Sequence, residues 1–587
     1  MRSLIKTTLA LSITATLLSP SANAATYSVQ DLGLIDKVKH IYGIEYNNLG
    51  QVVLSGNTTY NFPVQFENLD LDEDNYDDII NFSERYDESY FYLEEIKGDQ
   101  KDMLRAGQPD ANALEWTKLW LTTRNTEYQQ VGDAQVYLFD GQTTEEFIVY
   151  DQVIPGTDQL TRSVRDLPKG ITDDGWIYGS SPAPAMPLEP FVDDEGDTYV
   201  HWIREFNQRA WVSINGAPVV SIMPPEATYG GLSAINDLSN GIAVGSASFE
   251  MNPEILKEIT DEDEECYKQT GDGDPDDPGN MPLEACISIF RANLYNAQAY
   301  KWTLDASGNV IDTEVLGTGI VNQDKDDERV FRSEAVSINS SGIAVGMSHF
   351  WWDEDETTPS ENERVGLFAA IFADGKVYDF TDRDDWSQSR AVKISDQGIM
   401  IGLAYSRTIY PYPSKFYYVD VNKTPFEPIY PDDFFNSSNS EPFDINNNGK
   451  IVGRGEHNTD SNPRRHHGFV YDIETDVFAD VNDLLSCEDQ LAYTIIEARS
   501  INDSDQILGT AWYTETRRDS KGELIYDENG EPVIENVLRA VYLDPIAEGE
   551  IEDCGEELEE NVERKGASFG LLGIFAFMVA GWRRRLS

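Results

Sequence analysis

The chain has 587 residues, 44 of them basic against 105 acidic, for a net charge of −61. A field of that sign repels nucleic acid and anionic lipid head groups, and before the C-terminal tail no basic run exceeds two residues, so phosphate-backbone binding is excluded. The length is ample for a large core, and repeat architectures of this size run as one unit.

The first residues have the pattern of a secretory signal: Arg2 and Lys6, an apolar centre from Leu9 to Leu18, and the small-residue site Ala22-Asn23-Ala24. Cleavage after residue 24 would start the mature chain near Ala25 and make disulfides permissible. Next comes a strand-like segment, Tyr27 to Leu32.

A short phrase then returns seven times: an Ile, a polar turn, and a β-rich run closing on Gly. The copies close on Gly56, Gly179, Gly245, Gly346, Gly402, Gly453 and Gly509. Those starting at Ile171, Ile338, Ile394 and Ile445 share one length and a turn Gly; the one starting at Ile501 has Asp505 in that place. Asn448-Gly449, Asp174-Gly175 and Ser341-Gly342 suit a tight turn, and runs such as Ile343-Ala344-Val345 suit a buried strand. A third strand follows after a variable gap, for example Ala299 to Trp302, Ala370 to Phe372 and Gly468 to Tyr471. A fourth is clearest at Val377 to Phe380 and Val477 to Val481. Four strands repeated seven times predict an all-β, seven-bladed β-propeller over residues 25–548. The seventh unit lacks its fourth strand, and Tyr27 to Leu32 has that strand's pattern, so the N-terminal strand is expected to close the ring.

The gaps between second and third strands are where insertions fall, chiefly at about 57–133 and 249–288. The first includes a predicted helix from Asp110 to Thr122, with Asp110 as N-cap and Ala113, Trp116, Leu119 and Trp120 on its apolar side. It also contains the acidic run from Asp70 to Ile79. Asp70, Asp72, Asp74 and Asp78 have the alternate spacing of a loop that wraps Ca2+ in oxygen ligands; the other reading is a solvated acidic loop. Asn75 stands where Gly is usual, and Asn81 where an EF-hand has its bidentate Glu. The acidic run from Asp272 to Asp277 reads as a flexible loop. Loops on a rigid scaffold commonly carry function.

Four cysteines give two expected local disulfides, Cys266–Cys286 in the second insertion and Cys487–Cys554 around the last repeat; other pairings stay formally open. Phe350-Trp351-Trp352 could stack on sugar, but packing under the next insertion is the favoured reading. His466-His467 lacks metal-ligand spacing and reads as a solvated strand end. The G-x-S-x-G at residues 566–570 lacks the strand that a nucleophile elbow needs.

Residues 549–565 read as a solvated acidic stalk. Beyond it, Gly566, Ala567 and Ser568 open an apolar stretch that stops at Arg583-Arg584-Arg585. This is about the minimum length of a bilayer span, with the basic end inside.

The repeat phrase at Asp444 to Gly453, with His467-Gly468-Phe469, resembles the HAF-type extracellular repeat proteins, an uncharacterised exported family of Gram-negative bacteria. That resemblance implies a strand pattern and no chemistry. The tail resembles a GlyGly-CTERM sorting signal, with Gly566-Ala567-Ser568 in place of the usual Gly-Gly. It implies export, transient membrane attachment, processing by a rhomboid-type protease, and display at the surface or release. Catalytic signals are poor, so the leading expectation is a non-enzymatic scaffold that binds an extracellular glycan or protein through its inserted loops. The rivals are a secreted hydrolase or lyase acting on polysaccharide, and a structural matrix or adhesion protein. Carboxylates converging with His or Arg in the central channel would favour the enzyme, and an apolar or blocked channel the binder.

Overall fold

The computed structural model describes residues 26–547 apart from 70, 72–73, 91, 194–195, 197, 271–278, 354–358 and 460–462, together with 549–552 and 554. The expected signal segment, most of the stalk, and the tail with Gly566, Ala567 and Ser568 lie outside the described residues. Among the described residues no helix is long and apolar enough to cross a membrane.

Seven small antiparallel sheets form a seven-bladed β-propeller. Six have four strands, and the fifth has three, Trp386–Ile394, Ile399–Ser406 and Ser414–Asp420. There the fourth strand shrinks to a single bridge between Tyr418 and Ile429. The last blade is built from Tyr493–Ile501, Ile507–Thr516 and Ile534–Ile546, and its outer strand is Thr26–Asp31 from the other end of the chain. The pairing is antiparallel, from Thr26 opposite Ile546 to Asp31 opposite Val541. This is the expected closure.

The hairpin turns explain the repeat's composition. The Asn after the repeat Ile folds back as an Asx turn: Asn339 Oδ1 accepts from the amides of Ser341 and Ile343, and Asn446 Oδ1 from those of Asn448 and Lys450. The turn then needs positive φ, supplied by Gly342, Gly398 and Gly449, and by Asp505 at 61°. Successive turns hydrogen-bond around the axis, including Asp503 N to Asn48 Oδ1 (3.0 Å) across the seam between the last blade and the first.

Every innermost strand carries a β-bulge at the same register position: Ile44, Lys169, Asn236, Val336, Val392, Phe443 and Arg499 are the extra residues. The bulge accounts for the closing Gly. Gly245, Gly346, Gly402 and Gly453 each lie opposite it, where a Cβ would overlap the carbonyl oxygen of Ala234, Glu334, Arg390 or Glu441. The register also corrects the phase of two copies. In the first blade Leu54, not Gly56, faces the bulge, and its partner is Gly43, where a Cβ would overlap the Leu508 side chain of the last blade. In the third, Leu238 takes the place of the repeat Ile, before a two-residue Asn240-Gly241 turn with both φ positive.

The antiparallel order sends every connection between second and third strands to one face. The first insertion contains α1 (Asp74–Tyr86), α2 (Asp99–Arg105) and α3 (Ala111–Leu121). The α3 helix is capped by Asp110, whose side chain accepts from Ala113 N (2.9 Å). Ile79, Ile96, Leu104, Trp116 and Trp120 give this insertion a core of its own. It leans on the long hairpin of the last blade through Asn61 N to Ser520 O (2.6 Å) and Lys521 Nζ to Pro109 O (2.7 Å). The insertion after Met251 forms α4 (Pro253–Thr260), α5 (Glu265–Gln269) and α6 (Leu283–Phe290), and the Cys266–Cys286 disulfide ties α5 to α6. Cys487–Cys554 is also formed.

Candidate functional site

The propeller axis is polar. The residue after each bulge is Glu45, Gly170, Asp237, Ser337, Lys393, Asp444 or Ser500, and most of them clasp the following blade. Asp237 accepts from Ser337 Oγ (2.5 Å) and Ile338 N (3.1 Å), and Ser337 Oγ accepts from Ile394 N (3.2 Å). Asp444 accepts from Ser500 Oγ (3.0 Å) and Ile501 N (2.9 Å), and Ser500 Oγ accepts from Tyr46 N (3.3 Å). In the second blade a Cβ on Gly170 would overlap the Tyr178 hydroxyl, which takes this place and donates to Asp237 (2.9 Å). Lys393 Nζ lies 3.5 Å from Asp237. Burial opposes its charge, but Asp237, Glu45, Tyr178 and Asp444 together hold the ammonium well above the ordinary lysine range. Burial also raises the Asp444 carboxyl. Glu45 is partly buried; burial first, then Asp444 and Asp237, push it up to about 8 against Lys393 and Arg499. The axis is therefore polar, and Asp237 and Asp444 are engaged in joining blades.

The insertion face holds a different environment. A crevice of about 510 Å³ separates the second blade's loops from α6, lined by Met186, Leu188, Ile203, Ile287, Arg204 and Arg291 among others. Arg204 donates to Ala183 O (2.6 Å) and Ser163 O (2.7 Å), and Arg291 donates to the Arg204 carbonyl. Behind them Arg209 donates to Gly230 O. Among the described residues none of the three forms an ion pair with a carboxylate, and Nε of Arg209 and of Arg291 has no acceptor. Arg291 is only 7% exposed and Arg209 only 3%. Burial pushes all three guanidiniums down, Arg204 to about 10. The wall of the crevice includes Tyr229 and Gly230, which with Gly231 form three successive residues at positive φ. For Tyr229 that conformation costs about 1–2 kcal/mol.

Other expectations fall as follows. Asp70 and Asp72 lie outside the described residues; Asp74 opens α1, and Asp78 is an exposed residue of the same helix, 3.6 Å from Arg124. Phe350 and Trp351 are buried, and Arg364 covers Trp352 at 3.4 Å, so this cluster packs rather than forming an open platform. His467 is not a solvated strand end. Its Nδ1 meets Asp480 Oδ2 at 2.6 Å, its ring stacks on His457 at 3.8 Å, and the three side chains bring ligand-type atoms within 4.8 Å of one another. They could hold a metal ion only after one ring turns, because parallel imidazoles aim their lone pairs side by side.

Sequence reasoning missed the axial residues, although a polar residue recurs directly before the repeat Ile in Ser337-Ile338, Lys393-Ile394, Asp444-Ile445 and Ser500-Ile501. It also missed the arginines, whose only signal was a cation set among apolar residues, as in Phe290-Arg291-Ala292.

The model of a family described as "Protein of unknown function (DUF3466)" matches residues 5–585. No curated protein matches the sequence. Among solved structures, a puromycin-hydrolyzing peptidase of Mycobacterium tuberculosis is similar at 12% identity and a TM-score of 0.33, over 67% of this chain and 48% of that one. An acylaminoacyl peptidase of Pyrococcus horikoshii is similar at 9% and 0.29, over 59% and 43%. The chain thus spans about half the length of these structures.

Proposed function

We propose that this chain, which belongs to that family of unknown function, is an exported propeller that binds a ligand through the face carrying its insertions. The observation that supports this reading most is the contrast between the two polar regions. Asp237 and Asp444 at the axis are engaged in holding blades together, whereas among the described residues the arginines of the insertion-face crevice form no ion pair with a carboxylate. Two disulfides suit an extracellular or periplasmic address. The HAF-type resemblance and the sorting tail extend the proposal to display at, or release from, the cell surface. Mass spectrometry of the surface fraction tests that part: a mature chain that still carried Arg583 to Ser587 would make the tail a plain anchor. Calcium held by Asp70, Asp72, Asp74 and Asp78 belongs to the same proposal, as a brace for the first insertion.

A glycan and peptide screen of the mature protein tests the reading itself. Hits should be lost when residues 184–203 are replaced by a short Gly-Ser linker and kept in Glu45→Gln. The opposite pattern would move the site to the axis. That is the second reading, favoured by a partly buried glutamate whose carboxyl is pushed up to about 8 by burial and by Asp444 and Asp237, as a general acid requires. It predicts polysaccharide cleavage that Glu45→Gln abolishes.

A further inference from the structure

We infer that the crevice between the second blade's loops and α6 binds an amphipathic organic monocarboxylate, its apolar body along Met186, Leu188, Ile203 and Ile287 and its acid group against Arg204 and Arg291. The inference rests on the insertion face being the binding face, and adds the chemistry of what binds there.

Three observations converge. The first is charge. A chain with 105 acidic residues has no shortage of carboxylates, yet the guanidiniums of Arg204, Arg209 and Arg291 donate to backbone carbonyls, and among the described residues no carboxylate lies within ion-pair distance, Asp151 and Glu205 acting on them only from farther off. Buried charge without a partner is costly, and an anionic ligand removes that cost. The second is shape. A volume of about 510 Å³ is within the range of small-molecule sites, and the mostly apolar lining is suited to a hydrocarbon or aromatic body. The third is construction. The Cys266–Cys286 disulfide fixes α6, which leads directly into Arg291, and the opposite wall is held by Tyr229 and Gly230 at positive φ.

The remaining charges narrow the class. Glu205 and Glu284 also line the crevice, and both are exposed, so they stand at its mouth. They repel a dianion such as a phosphate monoester more than a carboxylate, and they disfavour a polyanion altogether. Within the crevice the guanidinium is shielded from water, so a single carboxylate gains more there than at the surface.

Isothermal titration of the purified exported protein with dodecanoate, dodecanol and acetate tests the inference. Dodecanoate should bind at one site, with dodecanol and acetate each at least tenfold weaker. Arg291→Met should weaken dodecanoate at least tenfold and leave the melting temperature of the free protein unchanged or higher. Glu205→Gln, an exposed change that leaves the fold alone, should tighten it two- to threefold. Equal binding of dodecanol and dodecanoate, or dodecanoate binding indifferent to both substitutions, overturns the carboxylate assignment while leaving the insertion-face reading intact. Failure of the insertion-face reading would instead show as screen hits that survive replacement of residues 184–203.

Discussion

Removing the closing strand is the most direct test of the ring. Deleting Thr26–Asp31 strips the six ladder partners from Val541 to Ile546 and withdraws Tyr27, 3% exposed, from a core it shares with Val481, Leu484, Leu485 and Ile495. The backbone hydrogen bonds lost, at about 1 kcal/mol each, are roughly offset by the conformational freedom that six residues regain at about 1–2 kcal/mol each. The buried tyrosine has no such offset, and losing a core aromatic costs about 3–5 kcal/mol. At roughly 2 cal/mol/K per residue, a propeller of this size melting as one unit converts about 4 kcal/mol into a fall of only about 4 °C. Calorimetry resolves that shift, and Tyr27→Ala should reproduce most of it. In a closed ring the single transition moves as a whole, because every blade has two neighbours. An open array would keep its main transition in place and shed only a small early one from the terminal blade. An unmoved main transition in the deletion variant would refute closure by this strand.

Glu45 should make stability fall with rising pH. Its folded value of about 8 lies above the ordinary 4.5, so its contribution is complete below about 4.5 and lost as pH rises through about 8. Glu45→Gln should flatten that fall in melting temperature, by less than full linkage predicts because channel water screens the charge; parallel curves for the two proteins would contradict it. Gly346→Ala should cost about 3 kcal/mol in urea unfolding, because its Cβ would overlap the Glu334 carbonyl, whereas Gly342→Ala, strained in φ but with open space around it, should cost about 1. The calcium proposal predicts stabilisation of about 2.7 kcal/mol at a hundredfold excess over Kd. Calorimetric uptake that is absent, or unchanged in Asp72→Ala, would remove it.

The sequence by itself indicated the seven repeats, most of their turns, the closing strand and the α3 cap at Asp110. Each depends on residues that are close in the chain or on a pattern repeated seven times: an Asx turn spans four residues, and an N-cap reaches three residues along. Residue identity there reports local geometry. The phase of the first and third copies was not legible, because Gly56 and Ile235 imitate the motif while the bulge that sets the register is visible only in pairing.

The axial clasp and the crevice were decided by tertiary structure alone. Asp237 meets Lys393 from two blades away, and His457 meets Asp480 only because a third and a fourth strand fold back beside it. Arg204 and Arg291 come from different blades' insertions, 87 residues apart, and nothing near either one in the chain indicates that the two will meet at one crevice. Periodicity fixes how each blade folds. Which side chains converge between blades depends on the angle at which seven sheets close around one axis, and no short stretch of sequence encodes that angle.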